Sequence, residues 1–179
     1  MKKIYSVIPL LIFSACSETE SFTTENTKDA FFEALTTLCG ESYEGDSVYP
    51  DDPDHEMYGA ELFMNVAECE ENEIRIPFRV NEDESRTWII TYYGDDLLLK
   101  HDHRYPDGTP HSLTNYGGIA HDDGTASAQY FVANAETAEM LPEASTNVWM
   151  MKINEEEGVF VYYLERHNEP RYRAEFRME

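Results

Sequence analysis

Positive charge is scarce in this chain, and the shortage is the first constraint on what it can do. Thirteen Lys and Arg face 36 Asp and Glu among 179 residues, for a formal charge of −23. Nucleic-acid binding through phosphate neutralisation is thereby excluded, and anionic membrane surfaces are disfavoured. Cysteine is rarer still: the three residues Cys16, Cys39 and Cys69 cannot form a dense disulfide scaffold, and no Cys-x-x-Cys offers a thiol redox or zinc motif. No apolar run reaches the roughly 20 residues of a membrane-crossing helix. Gly-x-Ser-x-Gly is missing, so the sequence does not support serine-hydrolase chemistry. The acidic clusters Asp51-Asp52-Pro53-Asp54 and Glu155-Glu156-Glu157 lack EF-hand spacing and read as solvated turns. With so many carboxylates, a glycosidase-like pair could be picked anywhere, which makes the choice empty without geometry.

What is present suffices for one domain. An apolar fraction of 41% with 13% aromatics supports a substantial core, and the length suits a single unit of about 100 to 200 residues.

The N-terminus carries an export pattern. Lys2 and Lys3 precede an apolar stretch from Ile4 to Phe13, which ends in Ser14-Ala15-Cys16. A basic start, a short apolar centre and small residues at a cut point read as a cleaved leader. Phe13-Ser14-Ala15-Cys16 resembles the lipobox of bacterial lipoproteins, with Phe13 where an aliphatic residue is usual. The resemblance implies removal of residues 1–15, acylation of Cys16, membrane attachment through that lipid, and outer-membrane sorting directed by Ser17. An ordinary cleaved leader with an incidental Cys16 is the alternative. Residues 16–26 are polar and aperiodic and read as a tether, and residues 27–179 as the domain.

Ala30, Phe31, Ala34, Leu35 and Leu38 share one helical face, with Asn26 or Thr27 as a cap and Gly40 as a stop. Beyond Gly40 the periodicity changes to two. Nine candidate strands follow, near 43–49, 60–66, 74–80, 86–93, 97–104, 127–132, 147–153, 159–166 and 172–178. Their short, acidic connections predict an antiparallel meander, and closing such a meander removes exposed edges. The expected fold is mainly β: an antiparallel up-and-down β-barrel of about eight or nine strands with one N-terminal amphipathic helix beside it or across one end. Pro77 lacks a ladder donor and demands a bulge or an edge, so a two-sheet sandwich competes. Asn134 to Leu141 reads as a short helical turn ended by Pro142.

With Cys16 assigned to lipid, Cys39 and Cys69 form an even pair in an oxidising compartment and are expected to bond. The bond would close a loop of about 30 residues, worth roughly 3 to 4 kcal/mol in the chain-entropy account.

Four of the six histidines lie in one stretch, beginning with Lys100-His101-Asp102-His103-Arg104 and continuing through Asp107-Gly108, His111, Tyr116-Gly117-Gly118 and His121. On a strand, His101 and His103 share a face with Leu97 and Leu99, whereas Asp102 points the other way. If His111, His121 or Asp107 folds over them, two imidazoles could hold Zn, Fe or Cu. They could equally form a metal-free polar or catalytic cluster, or continue an inward stripe as satisfied rim groups that need no cofactor. Tyr116-Gly117-Gly118 then marks a close backbone approach or a positive-φ turn.

The cations lie mostly within strand segments, among them Arg75, Arg79, Arg86, Arg166, Arg171 and Arg173. Cross-strand pairing with acids on an outer face is the favoured account. The sharper alternative puts some of them inside, with Tyr92, Tyr162 or Tyr163, to hold an anionic ligand.

Taken together, Leu38-Cys39-Gly40, Ile74-Arg75-Ile76-Pro77-Phe78, Arg86-Thr87-Trp88, Leu99 to Arg104, Asp107-Gly108, Tyr116-Gly117-Gly118 and Asn147-Val148-Trp149 resemble a group of uncharacterised secreted bacterial proteins. The helix-plus-meander layout is similar to the calycins, the lipocalin-like barrels, although their Gly-x-Trp signature is missing. That likeness implies small-ligand binding by analogy. The leading expectation is a lipid-anchored envelope barrel that binds a small ligand or serves a non-catalytic envelope role, with protein partners unspecified. The competing expectation is an enzyme or metal protein using His101, Asp102 and His103.

Overall fold

The computed structural model describes residues 26–178. The leader, Cys16 and the tether through residue 25 lie outside the described residues. The chain begins with α1 (Thr27–Thr37), where the Asn26 side chain accepts the Lys28 N–H and caps the first turn. Phe31, Phe32 and Leu35 form its buried face. Gly40 follows at φ 87°, the left-handed conformation that lets the chain leave the helix without a Cβ clash.

Eleven strands follow: β1 (Ser42–Tyr49), β2 (Glu61–Asn65), β3 (Glu68–Cys69), β4 (Glu73–Val80), β5 (Asp83–Tyr93), β6 (Asp96–His103), β7 (Tyr116–Ala120), β8 (Ala128–Ala133), β9 (Asn147–Asn154), β10 (Val159–Arg166) and β11 (Glu169–Arg177). A short α2 (Ala135–Met140) and one 3-10 turn at Pro142–Ala144 lie between β8 and β9. From β4 to β11 each strand pairs antiparallel with the next, β11 pairs with β1, and β1 with β2. The additional β2–β4 pairing closes the circuit. Because β3 continues β2 along the same edge of β4, the wall is an up-and-down barrel of ten staves, with no sandwich edge.

The up-and-down barrel is as expected, with ten staves against the expected eight or nine. The added stave is β7, whose Tyr116-Gly117-Gly118 start was expected to be a turn or a close approach. It is a close approach within a strand. A Cβ on Gly117 would lie 1.8 Å from the Leu99 carbonyl oxygen, and one on Gly118 2.3 Å from that of Val132. Only glycine lets β6 and β8 flank this strand so tightly.

Pro77 sits where a bulge was required. The β2–β4 ladder ends at Met64↔Phe78, and pairing resumes one residue out of register at Glu68↔Arg75. The missing N–H therefore falls in the break.

One end of the barrel is closed. Lys28 on α1 is hydrogen-bonded to Asp96 at the start of β6 and to Asp122 after β7. The Tyr92 hydroxyl donates to Asp29 at 2.9 Å, and the Gln129 amide donates to the Thr27 carbonyl at 3.1 Å. At the same end Cys39 and Cys69 are bonded, with Cα atoms 6.2 Å apart, as expected. Inward positions here are apolar: Ile74, Ile76, Ile90, Leu97, Leu99 and Met151 expose 0% of their surface and join Phe31, Leu35, Phe160 and Phe176 in one cluster.

Candidate functional site

The same alternation gives a different lining at the opposite end. Toward that mouth the inward positions of β4, β5 and β6 change from aliphatic to aromatic and basic, those of β10 and β11 change from Phe160 and Phe176 to tyrosine and arginine, and together they surround a cavity of about 570 Å³ open to solvent. Two ring stacks form its walls. Phe78, Trp88 and Tyr162 lie nearly parallel, with centroids 4.6 and 4.5 Å apart. On β6 and β7, the Tyr116 ring stacks 4.7 Å from His101, nearly parallel at 6°, and 5.7 Å from His103. Between β1 and β2 the chain crosses the mouth, where His55 stacks on Tyr172 at 5.9 Å and Glu56 and Met57 join the lining.

His101 joins the two stacks. Its Nδ1 is 3.2 Å from the Tyr116 carbonyl oxygen and its Nε2 is 2.8 Å from the Tyr162 hydroxyl. A carbonyl can only accept, so Nδ1 carries the proton and donates, and Nε2 accepts from the Tyr162 O–H. Burial holds the ring neutral, lowering its pKa to about 3; the Tyr116 carbonyl works against the shift, and His103 adds slightly to it. Burial also raises the Tyr162 hydroxyl well above its ordinary range, with Tyr116 and Tyr172 adding to the rise. The pair is thus a neutral donor–acceptor clamp that orients rings. His103, half-buried, bonds the Tyr116 hydroxyl at 3.1 Å; burial, then Arg86 and His111, lower its pKa.

Support comes from behind the wall. Thr137 of α2, fully buried, donates its hydroxyl to the Gly117 carbonyl and accepts the Gly117 N–H, both at 2.7 Å. The β7 backbone that carries Tyr116 is thereby fixed.

The remaining residues predicted for this site are not brought together. Asp102 points away from the lumen, as alternation dictates, and is buried at 4% exposure beneath the 104–115 segment, where it accepts from Arg104 Nε at 2.7 Å and Thr114 Oγ1 at 3.0 Å. Asp107 is exposed and accepts from the Thr109 N–H and O–H; those bonds hold its carboxyl below the usual range. His111 lies tilted against Tyr105, ring centroids 4.0 Å apart, in a groove beside the mouth. His121 lies at the closed end, exposed, 3.1 Å from Asp123. The third ligand on which a metal site at His101 and His103 was conditional is not brought to them: among the described residues no three His, Cys, Asp or Glu side chains group as metal ligands. Both His101 nitrogens are already engaged. The His101, Asp102 and His103 cluster is likewise divided between the two faces of β6.

The cations divide in a way the sequence reading underweighted. Arg75 pairs with Glu73, Lys100 with Glu136, and Arg173 with Glu175, on the outer wall as expected. Arg86, Arg166 and Arg171 instead line the cavity. Arg86 shares the parity of Trp88 and Ile90, and Arg166 that of Phe160 and Tyr162, so two of the three positions could have been read from alternation. Arg171 could not. It owes its position to a bulge, since the register shifts between Leu164↔Tyr172 and Glu165↔Pro170. Of the tyrosines expected to accompany inner arginines, Tyr162 is inside, Tyr92 serves α1, and Tyr163 has outward parity. Tyr172 was not singled out, yet its hydroxyl is buried beside the Ser47 hydroxyl, outside good hydrogen-bond geometry.

Comparison of the chain with family models, curated proteins and solved structures finds no match.

Proposed function

We propose that this protein is a small-molecule-binding β-barrel, tethered to the bacterial cell envelope by a lipid on Cys16, with its binding site at the mouth opposite α1. One observation carries the binding reading: the barrel is packed with apolar side chains at one end and opens into a cavity at the other. The hollow of about 570 Å³ falls within the roughly 300 to 1,000 Å³ typical of ligand sites. Its walls are rings fixed by stacking and by the Tyr162–His101–Tyr116 hydrogen bonds, so little ordering is left for a ligand to impose. A neutral histidine with both nitrogens occupied suits holding better than turnover. Tethering and export rest on the residue pattern of positions 1–16, and the Cys39–Cys69 bond accords with an oxidising compartment.

The test is a thermal-shift and tryptophan-fluorescence screen of planar small molecules on the purified protein, since Trp88 lines the cavity and is one of only two tryptophans. Leu164→Trp, which fills the hollow from β10, is the blocking variant. Saturable responses that vanish in Leu164→Trp, with folding retained, are expected. Responses that survive the blockade would place binding elsewhere and overturn the reading. Membrane attachment is tested separately: Cys16→Ala should move the protein from the membrane to the soluble envelope fraction.

A further inference from the structure

The lining of the cavity inverts the charge balance of the chain. The protein holds 36 acids against 13 Lys and Arg, yet three arginines and only one acid, Glu56, line the hollow. Self-repulsion among so many carboxylates leaves a guanidinium little to gain from facing inward unless an anion is to be met there. Two of the three are also free of acidic partners: no ion pair among the described residues involves Arg166 or Arg171. The Arg166 Nε donates instead to the neutral Asn147 amide oxygen at 2.8 Å, which fixes the guanidinium without neutralising it. Arg86 is held by Asp83 at the rim. Beneath this basic rim lie the Phe78–Trp88–Tyr162 stack and the buried Tyr172 hydroxyl, whose one polar neighbour among the described residues, Ser47, is outside good hydrogen-bond geometry.

From this arrangement we infer that the ligand is a small organic anion with a flat, unsaturated body, an aryl carboxylate in the simplest case. The carboxylate is held at the mouth by Arg166 and Arg171, and the ring system lies against the aromatic wall with the Tyr172 hydroxyl within reach. The inference rests on the ligand-binding reading above and adds its chemical class. Arginine suits the task because its planar fork can meet both carboxylate oxygens at once. The acidic exterior contributes selectivity: it repels anions from every other face, so a bound anion finds complementary charge only inside the mouth.

The experiment is calorimetric titration of the purified protein with naphthalene-2-carboxylate, naphthalene-2-carboxamide and 2-naphthylmethylamine, which share a ring system and differ in charge. The carboxylate should bind at least about tenfold more tightly than the amide, with the amine weakest. In Arg166→Gln/Arg171→Gln, checked for folding by its melting temperature, the carboxylate should fall to the level of the amide. An amide that binds as well as the carboxylate, or a carboxylate preference that persists in the double variant, would overturn the anion assignment while leaving ligand binding standing. Failure of all three compounds to bind would remove the binding reading and the inference with it.

Discussion

The two ends of this barrel are built from the same strands, yet their interiors differ in chemistry and in packing. At the α1 end, β6 contributes Leu97 and Leu99; two residues on, the same face of the same strand contributes His101 and His103. β5 passes from Ile90 to Trp88 to Arg86 in the opposite chain direction, and β10 from Phe160 to Tyr162 to Arg166. Alternation decides only which side chains face in. Their chemistry, changing along the strand, decides whether that interior becomes a packed core or a lined hollow. Branched aliphatics with α1 across the end fill space at crystal-like density. Rings stacked on one another, with arginines held back at the rim, leave space open.

The contrast predicts unequal responses to mutation. The largest belongs to the packed end, where Phe31→Ala should cost about 3 to 5 kcal/mol in urea unfolding, because α1 loses a fully buried ring and the site cannot collapse. A loss below about 1 kcal/mol would mean that α1 does not seal the barrel. Next is Cys39→Ser/Cys69→Ser, which reopens a loop with a sequence separation of 30 at the same end and should cost about 3 kcal/mol. Non-reducing mass analysis of the parent should show two hydrogens missing.

At the hollow end the expected losses are smaller. Tyr162→Phe removes the donor to His101 Nε2 and should cost about 1 to 2 kcal/mol.

The same histidine gives the hollow end its pH dependence. His101 takes up a proton near 6.5 when unfolded but only at about 3 when folded. Its contribution is therefore complete above pH 6.5 and declines as pH falls through that value, by at most about 1.4 kcal/mol per pH unit. His103, also lowered, acts in the same direction. Between pH 6.5 and 5, His101→Gln should show a flatter stability profile than the parent. Parallel profiles would show that the ring is not held neutral. The smallest effect is expected at the rim: Arg171→Gln, exposed and without an ion-pair partner among the described residues, should shift stability by less than about 0.5 kcal/mol.

Much of this division was legible in the sequence. The period-two runs marked nine of the ten staves, and the face shared by Leu97, Leu99, His101 and His103 was correct, as was the opposite direction of Asp102. What escaped has physical reasons. β7 carries consecutive glycines whose value lies in close backbone approach, which leaves no hydrophobic alternation to detect. The acidic stretch around Asp51 reads as a solvated turn, and little in it announces that His55 would lie on Tyr172 across the mouth. Arg86 and Arg166 carried the right parity, but outer-face pairing held for Arg75 and Arg173 and was extended to them. Arg171 depends on a bulge, which alternation cannot foresee. Proximity in sequence also misled: His101, His111 and His121 are evenly spaced along the chain, but the barrel places one in the lumen, one beside the mouth and one at the far end.

Chemical-shift mapping during titration with naphthalene-2-carboxylate separates the packed end from the open one in a single experiment, because it reads both ends of every strand at once. The account predicts saturable shifts confined to the mouth half, at Trp88, His101, Tyr116, Tyr162 and Tyr172, with Ile90, Leu99, Met151 and α1 unmoved. Shifts centred on the α1 end or spread over the outer wall would contradict it.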